Sequence, residues 1–461
     1  MTSALVLLVV VSTTALLWVI RVHRETAGIR FGVLFMIGAF LFVTSGEVLV
    51  QVLTGGTSRY RQGLPGEALE GWLILAALMF ATFAVVYTAT GLALVRISRV
   101  ARPRLVCRSD SSIAFAMSRR QAVSFAFCVT AAVVVVLVWG RPTTGITLSG
   151  ASYWAEGLVL PLVAPLMALA VLFLHRAFDS LALTAAYILA VGGVLVVLGR
   201  RSLFFDIVVG LVFSAWYLRI QFRRRQILVL FAVFTSFILL MTLSREMLGR
   251  DYFRDASPIA GSVALVTGGS AGLSSALARD GLTDDLGYRF DGNSFHALLL
   301  SKYADGAQPL LFENLVSNSI ALSVPRFLSP GKLSRSEDER NEELTVVAAF
   351  GLPSGDYIPT RTSSILSNTG PVLFLPFMAF LAVVLALIDQ AYVSRRTWPA
   401  LGVGIVVAES LVSFEGGLEG LLLVGRVALL VFVLVWLGEK VVINSGREQA
   451  TALTRHHPGV R

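Results

Sequence analysis

Apolar blocks of about 20 residues recur along this 461-residue chain and constrain its fold more than any other feature. An α-helix of that length matches the roughly 30 Å hydrocarbon core of a bilayer. A transmembrane β-barrel would instead show alternating segments of about ten residues. Only 15% of the residues are charged, whereas a water-soluble domain carries about 25%. The sequence therefore predicts an all-α polytopic membrane protein with about eleven transmembrane helices.

The eleven blocks divide the chain into a membrane part and one long connecting segment. The blocks are residues 3–20, 31–53, 72–95, 122–139, 158–175, 181–198, 204–218, 227–243, 370–389, 399–414 and 420–437. The first block lacks a basic N-terminal region and a small-residue cleavage site, so we expect a retained helix and not a signal peptide. The predicted organisation is helices 1–8 in residues 1–243, a large loop in 244–369, helices 9–11 in 370–440 and a tail in 441–461.

The charge of the loops predicts how the chain is oriented in the membrane. Every second loop is basic, namely 21–30, 96–121, 219–226 and 390–398. Basic loops face the cytoplasm, so we expect the N-terminus outside, the C-terminus inside and segment 244–369 on the extracytoplasmic side. The net charge of +9 is explained by these short loops, and no nucleic-acid partner is expected. A structureless loop as long as 244–369 would be unusual, so we expect a folded, functional subdomain there.

Two arginines interrupt the orientation pattern. Arg200 and Arg201 separate two apolar blocks on the predicted outer side, where basic residues are disfavoured. Guanidinium groups are forked donors with a permanent charge and suit phosphate, which favours an anion-binding role. The alternative is that both side chains reach towards lipid headgroups.

The long loop contains two further groups of candidate residues. Arg289, Asp291 and His296 cluster in one short stretch, and His296 is the one histidine of five predicted outside. His296 or Asp291 could accept a proton from a hydroxyl group, although a capped amphipathic helix on the membrane surface would also explain the stretch. Arg326 and Lys332 flank a turn that two prolines make rigid. The turn could present both side chains to a ligand, or it could be a basic loop corner without a binding role.

A few charges lie inside or beside apolar blocks. They are Glu47, Glu409, Glu415 and Arg426. Ion pairing within a helix bundle is the simpler interpretation, and proton coupling is the alternative. The two cysteines have no metal-binding spacing, and no Asp or His pattern resembles a metal site, so neither a metal nor another cofactor is expected.

Several of these features in this order resemble the O-antigen polymerase (Wzy-type) family, within the wider polymerase and ligase group. The resemblance covers about residues 180–390 and rests on a Gly-Arg-Arg-Ser turn at 199–202, a large outer loop, and a Pro-Arg-Phe-Leu-x-Pro-x-Lys motif within Val324–Lys332. The family often has an acidic residue entering the helix after the loop. The corresponding stretch Ser363–Pro371 has no carboxylate.

The resemblance implies a glycosyltransferase of the bacterial cytoplasmic membrane. Such an enzyme joins oligosaccharide repeat units carried on undecaprenyl diphosphate into a surface polysaccharide, needs no metal, and works among membrane lipids beside a flippase and a chain-length regulator. The implied roles in this sequence are His296, Asp291 and Arg289 for catalysis, and Arg200, Arg201, Arg326 and Lys332 for binding the diphosphate.

Three other interpretations of the sequence stay open. The first is an O-antigen-ligase-like transfer, for which His296 would supply the outer-loop histidine. The second is a transporter or flippase for lipid-linked oligosaccharides, which the embedded charges Glu47, Glu409 and Arg426 favour. The third is a non-catalytic subunit of an envelope assembly complex.

Overall fold

A computed structural model of the protein describes a bundle of helices. The described residues are 2–23, 31–56, 61, 64–101, 119–139, 160–197, 201–217, 232, 291–312, 342–352, 360–393, 398–412, 418, 424–425 and 427–437. About 92% of them are helical, which confirms the predicted all-α class.

Twelve helices are labelled here in chain order within the described residues. They are α1 (Thr2–His23), α2 (Phe31–Thr54), α3 (Gly66–Ala101), α4 (Arg119–Trp139), α5 (Leu160–Phe178), α6 (Leu181–Val197), α7 (Arg201–Tyr217), α8 (Gly292–Ala304), α9 (Glu342–Ala349), α10 (Arg361–Val393), α11 (Trp398–Val412) and α12 (Val427–Leu437). Ten of these coincide with predicted apolar blocks. The eighth block, 227–243, lies outside the described residues except for residue 232.

Four helices are long and apolar enough to cross a membrane, which makes this a helical membrane protein. The four spans are Ser3–His23, Phe31–Thr54, Gly66–Ile97 and Arg361–Tyr392. Helices α5, α6, α7, α11 and α12 contain shorter apolar stretches. The count of eleven spans and the loop subdomain remain predictions.

Helix α3 is central to the packing of the first half of the bundle. It packs against α1, α8 and α10, and α2 packs against α10 and α11. In the second half, α7 lies against both α5 and α11. Helix α8, which belongs to the long loop 244–369, is thereby docked directly onto two helices long enough to span the membrane.

Helix α10 consists of two parts that meet at a kink. Gly370 has φ 67° and ψ 170°, a conformation that L side chains rarely adopt, and Pro371 follows it. Proline lacks an N–H and cannot continue the hydrogen-bond ladder of the preceding turn. Residues 361–370 are all buried, whereas Val372 just after the kink is 84% exposed. The first part is therefore a polar segment enclosed by protein, and the second has an exposed apolar surface suited to lipid.

Two parts of α3 contact different ends of the bundle. Near the middle of α3, the Tyr87 hydroxyl donates to Asp389 of α10, and Asp389 Oδ1 also accepts the backbone N–H of Phe31 at 2.6 Å. His23 at the end of α1 packs edge-on against the Tyr87 ring. These contacts gather the helix ends that border the basic loops 21–30 and 390–398. Trp72 lies 15 residues earlier on α3, about 22 Å away along the helix axis, and faces the opposite end of the bundle.

Replacing Gly32 with alanine is expected to destabilise the protein by about 1–3 kcal/mol. An added Cβ at this buried position would overlap the ring of Tyr87, which its bond to Asp389 holds in place. The measurement is the free energy of unfolding in detergent. Gly71→Ala is the matched control, because nothing lies within 4 Å of a Cβ there. Equal stability of Gly32→Ala and wild type would show that the Tyr87 ring does not lie against Gly32.

Candidate functional site

Three charged side chains from distant parts of the sequence form one cluster at the Trp72 end of the bundle. Arg61 Nη1 and Nη2 donate to the two carboxylate oxygens of Glu47 at 3.0 and 2.8 Å. Arg61 Nη2 also donates to Asp291 Oδ1 at 2.9 Å, and its Nε lies 3.2 Å from Oδ2. The Arg61 side chain is 8% exposed and both carboxylates are fully buried. This charge cluster joins α2, the connection to α3, and the start of α8.

The cation in the charge cluster stays protonated. Burial acts to lower the pKa of the Arg61 guanidinium, but the hydrogen bond to Asp291 and the charge of Glu47 outweigh it, so the pKa is raised above its ordinary value. One positive and two negative groups leave a formal charge of −1 when both carboxylates are ionised. Charges buried this deeply are tolerated because they are paired and hydrogen-bonded.

Asn293 extends the charge cluster into α3. Its Nδ2 donates to Glu47 Oε2 at 3.1 Å and to the backbone oxygen of Val43 at 2.9 Å. Its Oδ1 accepts the indole N–H of Trp72 at 2.7 Å. Val43 belongs to Phe40–Ser45, a π-helical stretch within α2, and such stretches are frequent at functional sites. The polar network thus continues from α2 through α8 to the tryptophan of α3.

His296 lies beyond Trp72 and connects the network to α10. Its ring stacks on the indole of Trp72, with centroids 3.9 Å apart and planes 14° from parallel. Nδ1 lies 2.8 Å from the Gly292 carbonyl, which only accepts, so Nδ1 carries the proton. Nε2 is then an acceptor for the hydroxyls of Thr362 at 2.8 Å and Thr360 at 2.9 Å. Trp72, His296, Thr360 and Thr362 form the histidine cluster.

The imidazole of His296 is neutral at physiological pH. Burial lowers its pKa from 6.5 to about 3, against the hydrogen bond to the Gly292 carbonyl, which acts to raise it. A neutral ring whose two nitrogens are both occupied orients the threonine hydroxyls and is a weak base. Within the histidine cluster, the ring therefore suits a positioning role better than proton transfer.

Stability is expected to decrease as the pH falls from about 6.5 towards 3 because of His296. In this window the unfolded chain binds a proton at this residue and the folded chain does not, so each pH unit costs up to about 1.4 kcal/mol. Above the window neither state is protonated there and the contribution is constant. Melting temperatures measured across this range should fall more steeply for wild type than for His296→Gln. Parallel curves would mean that the histidine is not buried in its neutral form.

The polar segment begins with a reciprocal cap. Ser363 N–H donates to Thr360 Oγ1 at 3.1 Å, and Thr360 N–H donates to Ser363 Oγ at 2.9 Å, as in a capping box with serine in the third position. Arg361 Nη2 donates to Ser410 Oγ of α11 at 2.8 Å. The cap fixes the threonines that face His296, and the arginine links the same turn to a third helix.

The structure brings together some of the residues that the sequence singled out. Two predicted catalytic residues come together, since Asp291 lies just before α8 and His296 on its second turn. A chain of hydrogen bonds runs from Asp291 to Trp72, and the His296 ring stacks on Trp72. Helix α8 is buried over residues 291–297, so it is not a helix lying on the membrane surface. Arg201 is described only as the first residue of α7. The other predicted residues, Arg200, Arg289, Arg326 and Lys332, lie outside the described residues.

Sequence reasoning missed several members of the site. Arg61, Trp72, Thr360 and Thr362 were not predicted as functional residues. A usable signal existed for Arg61, since a carboxylate such as Glu47 inside an apolar block requires a cation within reach. Nothing local distinguishes Trp72 or the threonines, whose roles depend on contacts with α8 more than 60 residues away.

In the described part of the chain, no three His, Cys, Asp or Glu side chains come together in a group that could hold a metal ion. Compared with known proteins, the chain matches no family model, no curated protein and no solved structure.

Proposed function

We propose that this protein is a membrane glycosyltransferase that polymerises undecaprenyl-diphosphate-linked oligosaccharide repeat units at the outer face of the bacterial cytoplasmic membrane. The supporting observation is the pair of buried clusters, the charge cluster and the histidine cluster, through which Asp291 and His296 of the long loop contact helices long and apolar enough to span a membrane. The network lies at the end of α3 away from the basic loops 21–30 and 390–398. A lipid-linked donor at the outer leaflet would reach that end of the bundle.

Asp291 is assigned as the base in this proposal, because each of its oxygens keeps a second lone pair after accepting from Arg61, whereas both ring nitrogens of His296 are occupied. Its carboxylate lies just before α8, and Arg61 holds it by hydrogen bonds while Glu47 shares the same guanidinium. A carboxylate fixed in this way can take the proton of an acceptor hydroxyl without reorienting. His296 supports the arrangement by holding Thr360 and Thr362 on the facing helix.

The diphosphate requires a separate set of residues. With both carboxylates ionised, the charge cluster carries one net negative charge and would repel an anionic leaving group. Arg200, Arg201, Arg289, Arg326 and Lys332 supply the positive charge in this proposal. Guanidinium groups fixed near the donor stabilise the charge that develops on the departing diphosphate, so the reaction proceeds without a metal or other cofactor.

Replacing Arg289 or Arg326 with alanine is expected to shorten the polysaccharide made in cells, because each change removes a charge that stabilises the leaving group. Loss of one such donor in other enzymes costs about 10²–10³ in rate. Polymer length is measured on gels at equal protein levels. Arg21→Ala is the control, since Arg21 is exposed at the opposite end of the bundle. If both loop variants made polysaccharide of wild-type length, these arginines would not stabilise the leaving group.

A transporter of lipid-linked oligosaccharides is the second candidate, and one observation favours it. Glu409 is buried within the bundle, and its Oε1 has no hydrogen-bond partner among the described residues. A reconstituted protein that moves labelled lipid-linked oligosaccharide between leaflets without lengthening it would establish transport. Lengthened glycan without relocation supports the glycosyltransferase.

A further inference from the structure

Three helices meet at a glycine that makes room for a carboxyl group. Gly210 of α7 faces α5 and α11. A Cβ added there would lie 2.7 Å from Glu409 Oε1, 2.9 Å from Ala168 Cβ and 3.0 Å from Ile405 Cγ2. Any larger residue at this position would displace the carboxyl group. The sequence thus keeps one buried space at the junction of α5, α7 and α11 for the side chain of Glu409.

Oε1 of Glu409 lies in a space beside Gly210, Ala168 and Ile405, and none of these residues has a polar side chain that could solvate a charge. Glu409 is 7% exposed, and among the described residues nothing donates a hydrogen bond to its Oε1. Ser214 on the same face of α7 does not serve it, because its hydroxyl donates to the Gly210 carbonyl at 2.6 Å. Burying an ionised carboxylate without compensation is costly, and a carboxyl group in that position takes up a proton instead.

A second carboxyl group adds to this effect. Asp206 lies one turn before Gly210 on α7, on the same face of the helix. A negative charge at Asp206 opposes ionisation of Glu409, whose Oε1 lies beside Gly210. Two neighbouring carboxylates in a medium of low dielectric constant do not both ionise, and their protons leave in two coupled steps.

The packed elements carry other charged groups. On α5, His175 and Arg176 come about two turns after Ala168, the residue that faces Gly210. Arg361, from the polar segment, donates to Ser410 Oγ, next to Glu409 on α11. Among the described residues of α7, Asp206 is the charged residue that shares a face of the helix with Gly210, beside which Glu409 Oε1 lies.

We propose that Asp206 and Glu409 form a proton-binding site inside the helix bundle, which holds one proton on two carboxyl groups at neutral pH. This site goes beyond the proposed glycosyl transfer, because the charge cluster and the loop arginines account for that reaction without it. Ser410 and Arg361 link the site to the turn of α10 that carries Thr360 and Thr362. Gain or loss of the proton would therefore affect the hydrogen bonds of the histidine cluster.

Infrared difference spectroscopy of the full-length protein in lipid tests the proposal directly, since a protonated carboxyl group has its own C=O stretching band. Wild type should show the band at neutral pH, and Glu409→Gln should lose it. Glu67→Gln, at an exposed position of α3, should keep it. The measurement needs no substrate, so its outcome is independent of whether the protein transfers sugars.

A second variant keeps the test decisive if Glu409→Gln does not fold. Asp206→Asn retains the carboxyl group of Glu409 and removes the neighbouring charge, so the band should disappear at a lower pH than in wild type. Size-exclusion chromatography establishes that each variant is folded. A folded Glu409→Gln protein whose spectrum equals that of wild type would overturn the proposal, as would a titration that Asp206→Asn leaves unchanged.

Discussion

Replacing Arg61 with alanine is expected to lower the free energy of unfolding by about 3–5 kcal/mol. The change removes the guanidinium that donates to both Glu47 and Asp291 and leaves two fully buried carboxylates facing each other. Such a loss is a large fraction of the 5–15 kcal/mol that stabilises a typical domain. We expect poor recovery of folded protein from the membrane and a lower melting temperature in detergent.

Two further variants separate the charge effect from a general loss of packing. Arg21→Ala removes an exposed arginine at the opposite end of the bundle and should change stability by no more than about 0.5 kcal/mol. Combining Arg61→Met with Glu47→Gln and Asp291→Asn removes all three charges and should recover much of the stability, since apolar or neutral replacements of buried ion pairs are often tolerated. An Arg61→Ala protein as stable as Arg21→Ala would contradict the charge cluster.

Replacing Asp291 with asparagine is expected to slow polymerisation by about 10²–10⁴-fold, the usual contribution of a general base. Asparagine has nearly the same shape and can still accept a hydrogen bond from Arg61, but it cannot take up a proton under these conditions. The measurement is the rate of chain extension by the purified protein. Asp305→Asn is the matched control, because Asp305 is an exposed carboxylate at the other end of α8.

The same two variants distinguish catalysis from structural support. A base acts in the chemical step, so Asp291→Asn should lower the rate per folded molecule and leave the amount of folded protein near that of wild type. A merely structural aspartate would lower the amount of folded protein and leave the rate per folded molecule unchanged. Full activity of Asp291→Asn would show that the charge cluster does not supply the base.

Much of the helical framework could be predicted from sequence because it depends on local patterns. A run of apolar residues near 20 long requires a helix in lipid whatever its partners are. The predicted block 370–389 nevertheless misses the first part of α10, which begins at Arg361. That first part is rich in Thr, Ser and Asn, and these polar side chains are buried because the protein supplies their hydrogen bonds.

The site could be predicted only in part, because its contacts link residues far apart in the chain. Asp291 and His296 stand out locally as polar residues in a short stretch of the long loop. Their partners do not, since 230 residues separate Asp291 from Arg61 and 66 separate His296 from Thr362. The sequence predicted a histidine available for proton transfer, and the structure shows one enclosed between an indole and two hydroxyls.

The most direct test of the proposed function is extension of a defined undecaprenyl-diphosphate-linked repeat unit by the purified, reconstituted protein. The products are separated on a gel by the number of repeat units. Wild type should give a ladder of longer glycans still attached to lipid, and Asp291→Asn should leave the donor one unit long. A donor that stays one unit long with folded wild-type protein would contradict the account, and so would an identical ladder from both proteins.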